Sequence, residues 1–288
     1  MTAVREIEEL EISLLLEAIY QRFGNDFRNH QTHTLREKLH CFMSAHSIVS
    51  ISMLQGKILH DANFIELLLC ALNTRPVALF NHPEQMLKLR RAIVPWLRSC
   101  PAPKIWIADC IAAEDVYGLA IVLMEENLYY KTRIYVTGAN ASLLANAQQS
   151  RFPAKLLKQY EQNYLLAGGA NALLNYCEKI AGSFLFIPAL QQNITWAEYN
   201  LETDASFNEF EVIVCCSGLS DLNWRSRHRA LQIFYESQPN FGMLNIAGEN
   251  PLEITSLVSR YKAISKKYGL YQRMVDDPDP LHERTSGY

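Results

Sequence analysis

The spacing of apolar residues changes once along this chain, at Ser99-Cys100-Pro101-Ala102-Pro103, and the change dictates two differently built halves. Before it, only helical spacing occurs. Leu10, Leu14, Leu15, Ile19 and Phe23 form an apolar stripe that Gly24 ends. Residues 34–46, 50–59, 62–72 and 82–97 repeat the pattern, with Pro76 and Pro83 as breaks. After it, short β-rich runs (105–108, 133–136, 194–198, 212–216) alternate with helical ones (114–126, 141–149, 225–237). Such alternation requires parallel strands joined by right-handed crossovers. The chain therefore reads as α/β, with a Rossmann-like doubly wound domain over 98–275 preceded by a small all-helical domain over 1–97. Segments 241–246 and 261–274 read as a closing strand pair, and the charged, Pro-containing residues 276–288 as a flexible tail.

Composition narrows the function classes. A formal net charge of -3 gives no global basis for nucleic-acid binding or attraction to an anionic membrane surface. Seven cysteines without CxxC spacing indicate reduced thiols, hence a cytoplasmic chain. Glu6, Glu8, Glu9 and Glu11 rule against a signal peptide, and no apolar run approaches the roughly 18 residues of a membrane span. His30, His33, His40 and His46 lack Cys or carboxylate partners at zinc-like spacing, so no metal site is expected. Walker and G-x-S-x-G sequences are absent.

In a doubly wound sheet the ligand lies outside the carboxyl ends of the strands. The first strand here, Ile105-Trp106-Ile107-Ala108, runs into Asp109-Cys110-Ile111-Ala112-Ala113-Glu114-Asp115, which contains no glycine. A loop that brings backbone N–H groups to a ligand normally uses glycine.

Six co-linear segments carry a more specific signal. They are Leu15-Leu16-Glu17-Ala18-Ile19-Tyr20 with Gly24-Asn25-Asp26-Phe27-Arg28, Trp106 through Leu123, and Asn163-Tyr164-Leu165-Leu166-Ala167-Gly168-Gly169. Asn200-Leu201, Phe207-Asn208-Glu209-Phe210 and Phe234-Tyr235-Glu236-Ser237 follow. Over nearly its whole length the chain resembles the CheR family, S-adenosylmethionine-dependent methyltransferases that esterify glutamates of chemotaxis receptors. The resemblance implies a helical N-domain, a methyltransferase domain, and a pocket for S-adenosylmethionine or S-adenosylhomocysteine at the strand ends. It places Asp109, Ala113, Glu114, Gly138, Asn200, Leu201 and Ser217 on the cofactor side, and Asn81 and Asp221 on the substrate side.

Several of these positions depart from the family pattern. Asp109 and Ala113 replace the two loop glycines, and Gly138 stands where an aspartate takes the ribose hydroxyls. Asn81 replaces an arginine, and Asp221 a tyrosine beside the transferring methyl. A lost ribose acceptor is worth about 1–3 kcal/mol, or one to two decades of affinity. Asp221 is expected to repel a carboxylate substrate, with no arginine at 81 to offset it. These losses predict weak cofactor binding or none, and a CheR-like fold acting as a regulatory or binding protein toward a signalling partner, chemoreceptor-like or regulatory. The alternative is an active protein-glutamate O-methyltransferase with a remodelled pocket. A second alternative is a nucleotide-binding effector using Arg225 and Arg229, which stand one helical turn apart beside Trp224. For these arginines, and for Lys88, Arg90 and Arg91, a solvated helix face is the competing reading.

Overall fold

The computed structural model describes residues 2–275 except 202, 203, 207, 208, 218, 220, 248–251 and 253–255, so the tail expected at 276–288 lies outside the described residues. Five helices come first: α1 (Thr2–Phe23), α2 (Thr32–Ala45), α3 (Ile51–His60), α4 (Ala62–Asn73) and α5 (Pro83–Ser99). Local chemistry sets several of their ends. Gly24 takes φ +76° after α1, Ser50 Oγ accepts from the Met53 N–H at the start of α3, and Asp61 caps α4 through the Asn63 and Phe64 N–H groups. The buried stripe of α1 is Ile12, Leu15, Leu16 and Ile19. Leu10 and Leu14, expected in it, face outward at 59 % and 52 % exposure. The real stripe follows i, i+3, i+4, i+7, and neither residue falls on it.

Helices α1 to α4 share one apolar cluster, from Ile12 to Leu72. Helix α5 belongs elsewhere: Leu89, Ile93, Val94 and Leu97 pack with the residues of the α/β half.

In that half the strands are β1 (Lys104–Ala108), β2 (Arg133–Gly138), β3 (Arg151–Pro153), β4 (Cys177–Ile180), β5 (Ser183–Phe186), β6 (Ile194–Glu198), β7 (Val212–Cys215), β8 (Met243–Ile246), β9 (Tyr261–Ser265) and β10 (Leu270–Arg273). Between them lie α6 (Glu114–Glu125), α7 (Ala141–Gln148), α8 (Leu157–Leu166) and α9 (Trp224–Glu236). The main sheet has the order β6-β2-β1-β7-β8-β10-β9, with β10 running opposite to the other strands. The expected closing pair is present as β8 against β10, and it is extended on both sides: β8 continues the parallel sheet beside β7, and β9 completes a hairpin with β10. The alternation of strands and helices is as expected, with one addition. Strands β3, β5 and β4 form a separate three-stranded antiparallel sheet.

Trp106 anchors the main sheet. It is fully buried, donates from Nε1 to Thr137 Oγ1 at 2.8 Å, and meets the rings of Tyr199, Phe210 and Phe234 edge-on or tilted. Central strands β1, β2 and β7 end level with one another, Ala108 opposite Cys215 and Ile107 opposite Val136. The loops that follow them therefore open onto a common edge.

Candidate functional site

A cavity of about 620 Å³ lies at that edge. The ends of β1, β2, β6 and β7 supply one side through Asp109, Ile111, Ala139, Glu198, Asn200 and Ser217. The helical half supplies the other, through the turn from Phe23 to His30 and the stretch from Leu72 to Arg75. Such a position, between two packed units and at strand carboxyl ends, is where α/β proteins bind small molecules.

The β1–α6 loop keeps the shape that its missing glycine would give. Asp109 adopts φ +55°, the left-handed conformation that aspartate tolerates better than most residues. The Cys110 N–H then donates to Thr137 O at 2.8 Å, and the Ile111 N–H to Asp115 Oδ2 at 3.1 Å. Asp115 also accepts from Arg75 Nη2 at 2.7 Å. Burial works against the Arg75 charge, but the adjacent Asp115 outweighs it and holds the guanidinium above its ordinary range, with Asp109 adding to the effect. Arg75 Nε is buried and has no hydrogen-bond partner among the described residues.

Two other loop positions differ from expectation. Ala113 sits in right-handed helical conformation and is packed in the core, so its Cβ approaches no ligand. Glu114 lies off the cavity and accepts from Tyr160 Oη at 2.8 Å. Burial raises its pKa, partly offset by that bond.

On the β2–β6 side, Gly138 is covered. A Cβ built there would stand 2.5 Å from the Cys110 carbonyl oxygen. Asn200 and Leu201 line the cavity, and the Asn200 N–H donates to Asp204 Oδ2 at 2.8 Å.

On the β7 side, Ser217 lines the cavity and accepts from the Leu219 N–H at 3.3 Å. Asp221 also lines it, but not as an unopposed charge: Lys38 Nζ meets its Oδ2 at 2.8 Å. The expected repulsion of an anionic substrate is therefore offset from α2. The main chain links the halves here as well. Gln31 N–H donates to Asp221 O at 2.8 Å, Asn223 N–H to Asn29 O at 2.7 Å, and His30 forms an antiparallel bridge with Leu222. The His30 side chain lines the cavity, and burial lowers its pKa, with Asp221 pulling the other way.

Asn81 is exposed and is not part of the cavity wall. The cation at this cavity is Arg75, six residues earlier, which sequence reasoning missed together with His30, Lys38 and Glu198. A basic residue flanked by Leu72 and Pro76 at a helix-to-turn junction was the available hint for Arg75. Arg225 and Arg229 open onto a separate, shallower groove of about 370 Å³ that Asp204 and Glu236 also line. Arg229 donates to Asp204 O at 3.1 Å, and Arg225 lies 5.4 Å from the Trp224 ring centroid. Arg90 pairs with Glu125 at 2.7 Å and Glu126 at 2.8 Å, a structural role on α6. No group of three or more His, Cys, Asp or Glu residues able to hold a metal occurs among the described residues, and none of their helices is long and apolar enough to cross a membrane.

Two family models match successive parts of the chain. Residues 10–72 match the CheR methyltransferase all-alpha domain and residues 77–266 the CheR methyltransferase SAM binding domain. A Pseudomonas putida protein, provisionally described as the methyltransferase Cher3, is 32 % identical over 273 residues, spanning 95 % of this chain and 100 % of its own length. A chemotaxis protein methyltransferase of Listeria innocua is 19 % identical, over 80 % of this chain and 85 % of that one. Among solved structures, magnesium protoporphyrin IX methyltransferase of Synechocystis with bound S-adenosylmethionine aligns over 74 % of this chain and 89 % of that one, with a TM-score of 0.34 and 12 % identity. Two family domains in the order of the two cores, and a full-length relative at this identity, lead to one conclusion: the chain belongs to the CheR methyltransferase family.

Proposed function

We propose that the chain is an S-adenosylmethionine-dependent methyltransferase that esterifies a carboxylate of a signalling protein, a chemoreceptor glutamate being the acceptor suggested by the names of its relatives. One observation carries the reading. The loop after β1 presents the Asp109 carboxylate to the cavity, with no hydrogen bond to it among the described residues, and Arg75, also on the cavity wall, has a buried Nε–H with no acceptor among those residues. An unpaired anion and an under-used cation at one end of a cavity are complementary to an amino acid's α-ammonium and α-carboxylate. The residues present therefore fit this cofactor, contrary to the weak binding that the glycine losses suggested.

When bound, S-adenosylmethionine supplies a methyl group on an electron-poor sulfonium. The chain's own residues position and shield. Asp109 would accept from the ammonium, Arg75 would donate to the carboxylate, and Asn200 with Leu201 would face the adenine. A carboxylate acceptor is already ionised at neutral pH and needs no general base. Lys38 pairs with Asp221, so the carboxylate at this wall is offset and an anionic side chain can enter. The walls come from both halves, so a bound methyl donor and an entering carboxylate would be held between them in a fixed orientation, the main requirement for this transfer. Two of the departures that suggested an inactive protein have a counterpart elsewhere in the fold, Arg75 for the arginine absent at 81 and Lys38 against the Asp221 charge, which supports activity over a purely regulatory role. The separate cores also support placing the domain division in the segment 74–82 rather than at residue 97.

Calorimetric titration with S-adenosylmethionine and S-adenosylhomocysteine, followed by transfer of labelled methyl to chemoreceptor cytoplasmic fragments, tests the proposal. Micromolar binding and alkali-labile methyl esters are expected. Absence of binding to either ligand overturns it.

A further inference from the structure

We propose that Glu198, at the end of β6, holds the vicinal hydroxyls of the ribose, a task that the fold cannot assign to β2. The inference rests on the cofactor reading above and specifies one contact within it. Doubly wound nucleotide sites commonly place an acidic side chain at a strand end to accept from ribose hydroxyls. In this chain β2 ends in Gly138, and the reason is steric. The left-handed turn at Asp109 brings Cys110 against β2, its N–H bonded to Thr137 O, and leaves the Cys110 carbonyl 2.5 Å from where a Cβ on residue 138 would be. No side chain of any kind fits there without moving the loop.

The neighbouring strand offers the replacement. Strands β2 and β6 pair in parallel, and Glu198 lies directly opposite Gly138, so its side chain leaves the sheet on the face that a residue at 138 would have used. Strands stand about 4.8 Å apart, and glutamate reaches one methylene farther than aspartate. Its carboxylate therefore covers the ground next to the bare glycine. Glu198 lines the cavity close in sequence to Asn200 and Leu201. Among the described residues no hydrogen bond or ion pair engages it. The other carboxylates of the wall are differently placed. Asp26 pairs with Arg28, Asp221 with Lys38, Asp204 accepts the Asn200 N–H, and Asp109 lies near Arg75. A carboxylate with two free oxygens matches a cis diol, each oxygen accepting one O–H.

The test is calorimetric titration of the full chain with S-adenosylhomocysteine and with its 2′,3′-dideoxy analogue. Glu198→Gln should weaken binding of the diol ligand about 10- to 30-fold and leave the dideoxy ligand unaffected. Its melting temperature without ligand should equal that of the parent, because Glu198 is exposed on an edge strand. Equal affinity of parent and E198Q for the diol ligand overturns the Glu198 assignment alone. A loss that is the same for both ligands also overturns it, as it would mark a general charge effect. Failure of the parent chain to bind S-adenosylhomocysteine overturns the cofactor reading and this inference together.

Discussion

Replacing Arg75 by methionine tests the organisation of the β1–α6 loop most directly. The side chain of Asp115 is 9 % exposed and that of Arg75 22 %, and they meet at 2.7 Å. Methionine keeps most of the packing volume and removes the positive charge, which leaves Asp115 buried with the Ile111 N–H as its remaining partner. Stripping one partner from a buried ion pair costs about 3–5 kcal/mol, and the surviving N–H places the expectation at the lower end, about 3 kcal/mol. At roughly 2–4 °C per kcal/mol, the melting temperature should fall by about 6–12 °C at pH 8. The pH dependence carries the diagnosis. Burial raises the Asp115 pKa in the folded state, and losing Arg75 removes the influence that opposes it. An acid whose folded pKa lies above its unfolded value favours folding while protonated and loses that support as pH rises. The deficit of Arg75→Met should therefore narrow at pH 5 and be largely restored at pH 8 by a second change, Asp115→Asn. Urea or thermal melts of the parent and both variants at the two pH values suffice. An identical deficit at both pH values, with no recovery in the double variant, would refute the account of Asp115 as a buried charge held by Arg75.

Other expectations are simpler to state. Asp109→Gly should keep the loop's left-handed backbone and hold stability within about 1 kcal/mol, while Asp109→Val, β-branched at φ +55°, should be the less stable of the two in the same melts. Both should bind S-adenosylmethionine more weakly than the parent by calorimetry. Gly138→Asp, which restores the family residue, should destabilise by about 1–3 kcal/mol through overlap with the Cys110 carbonyl and should not tighten binding; tighter binding with an unchanged melt contradicts the packing. His30 has its pKa lowered by burial, so below its ordinary range the unfolded chain takes up a proton that the folded chain resists, and stability falls. Urea midpoints of His30→Gln should consequently vary less between pH 7 and pH 5 than those of the parent.

Much of the fold was legible because it follows from local chemistry. Ser50 and Asp61 mark helix starts by their side-chain acceptors, and the apolar runs around Trp106, Val136 and Val214 have the length and β-branching of buried parallel strands. The small sheet of β3, β5 and β4 was not legible, since strands of three or four residues show almost no period. The outward turn of Leu10 and Leu14 was missed for a related reason: a leucine-rich helix fits more than one stripe, and only the partner surface selects between them. Around the cavity, Asp109, Asn200 and Leu201 named from the sequence do line the wall, but the surroundings of each substitution were not legible. Aspartate at 109 reads as a lost glycine until its φ is known. Asp221 reads as an intruding charge until Lys38, 183 positions away, is seen beside it. Compensation of this kind is written in three dimensions, and a residue-by-residue comparison along the chain registers only the deletions.

The main-chain links from Asn29 and Gln31 to Asp221 and Asn223 have a consequence for how such a protein can be divided. Lys38, His30 and Arg75 belong to segments outside the parallel sheet, yet His30 and Arg75 line the cavity and Lys38 pairs with its Asp221. A shortened chain beginning at β1 would retain every strand and forfeit all three groups. The two halves must therefore change together, and the recognition surface is inherited as a junction, owned by neither half.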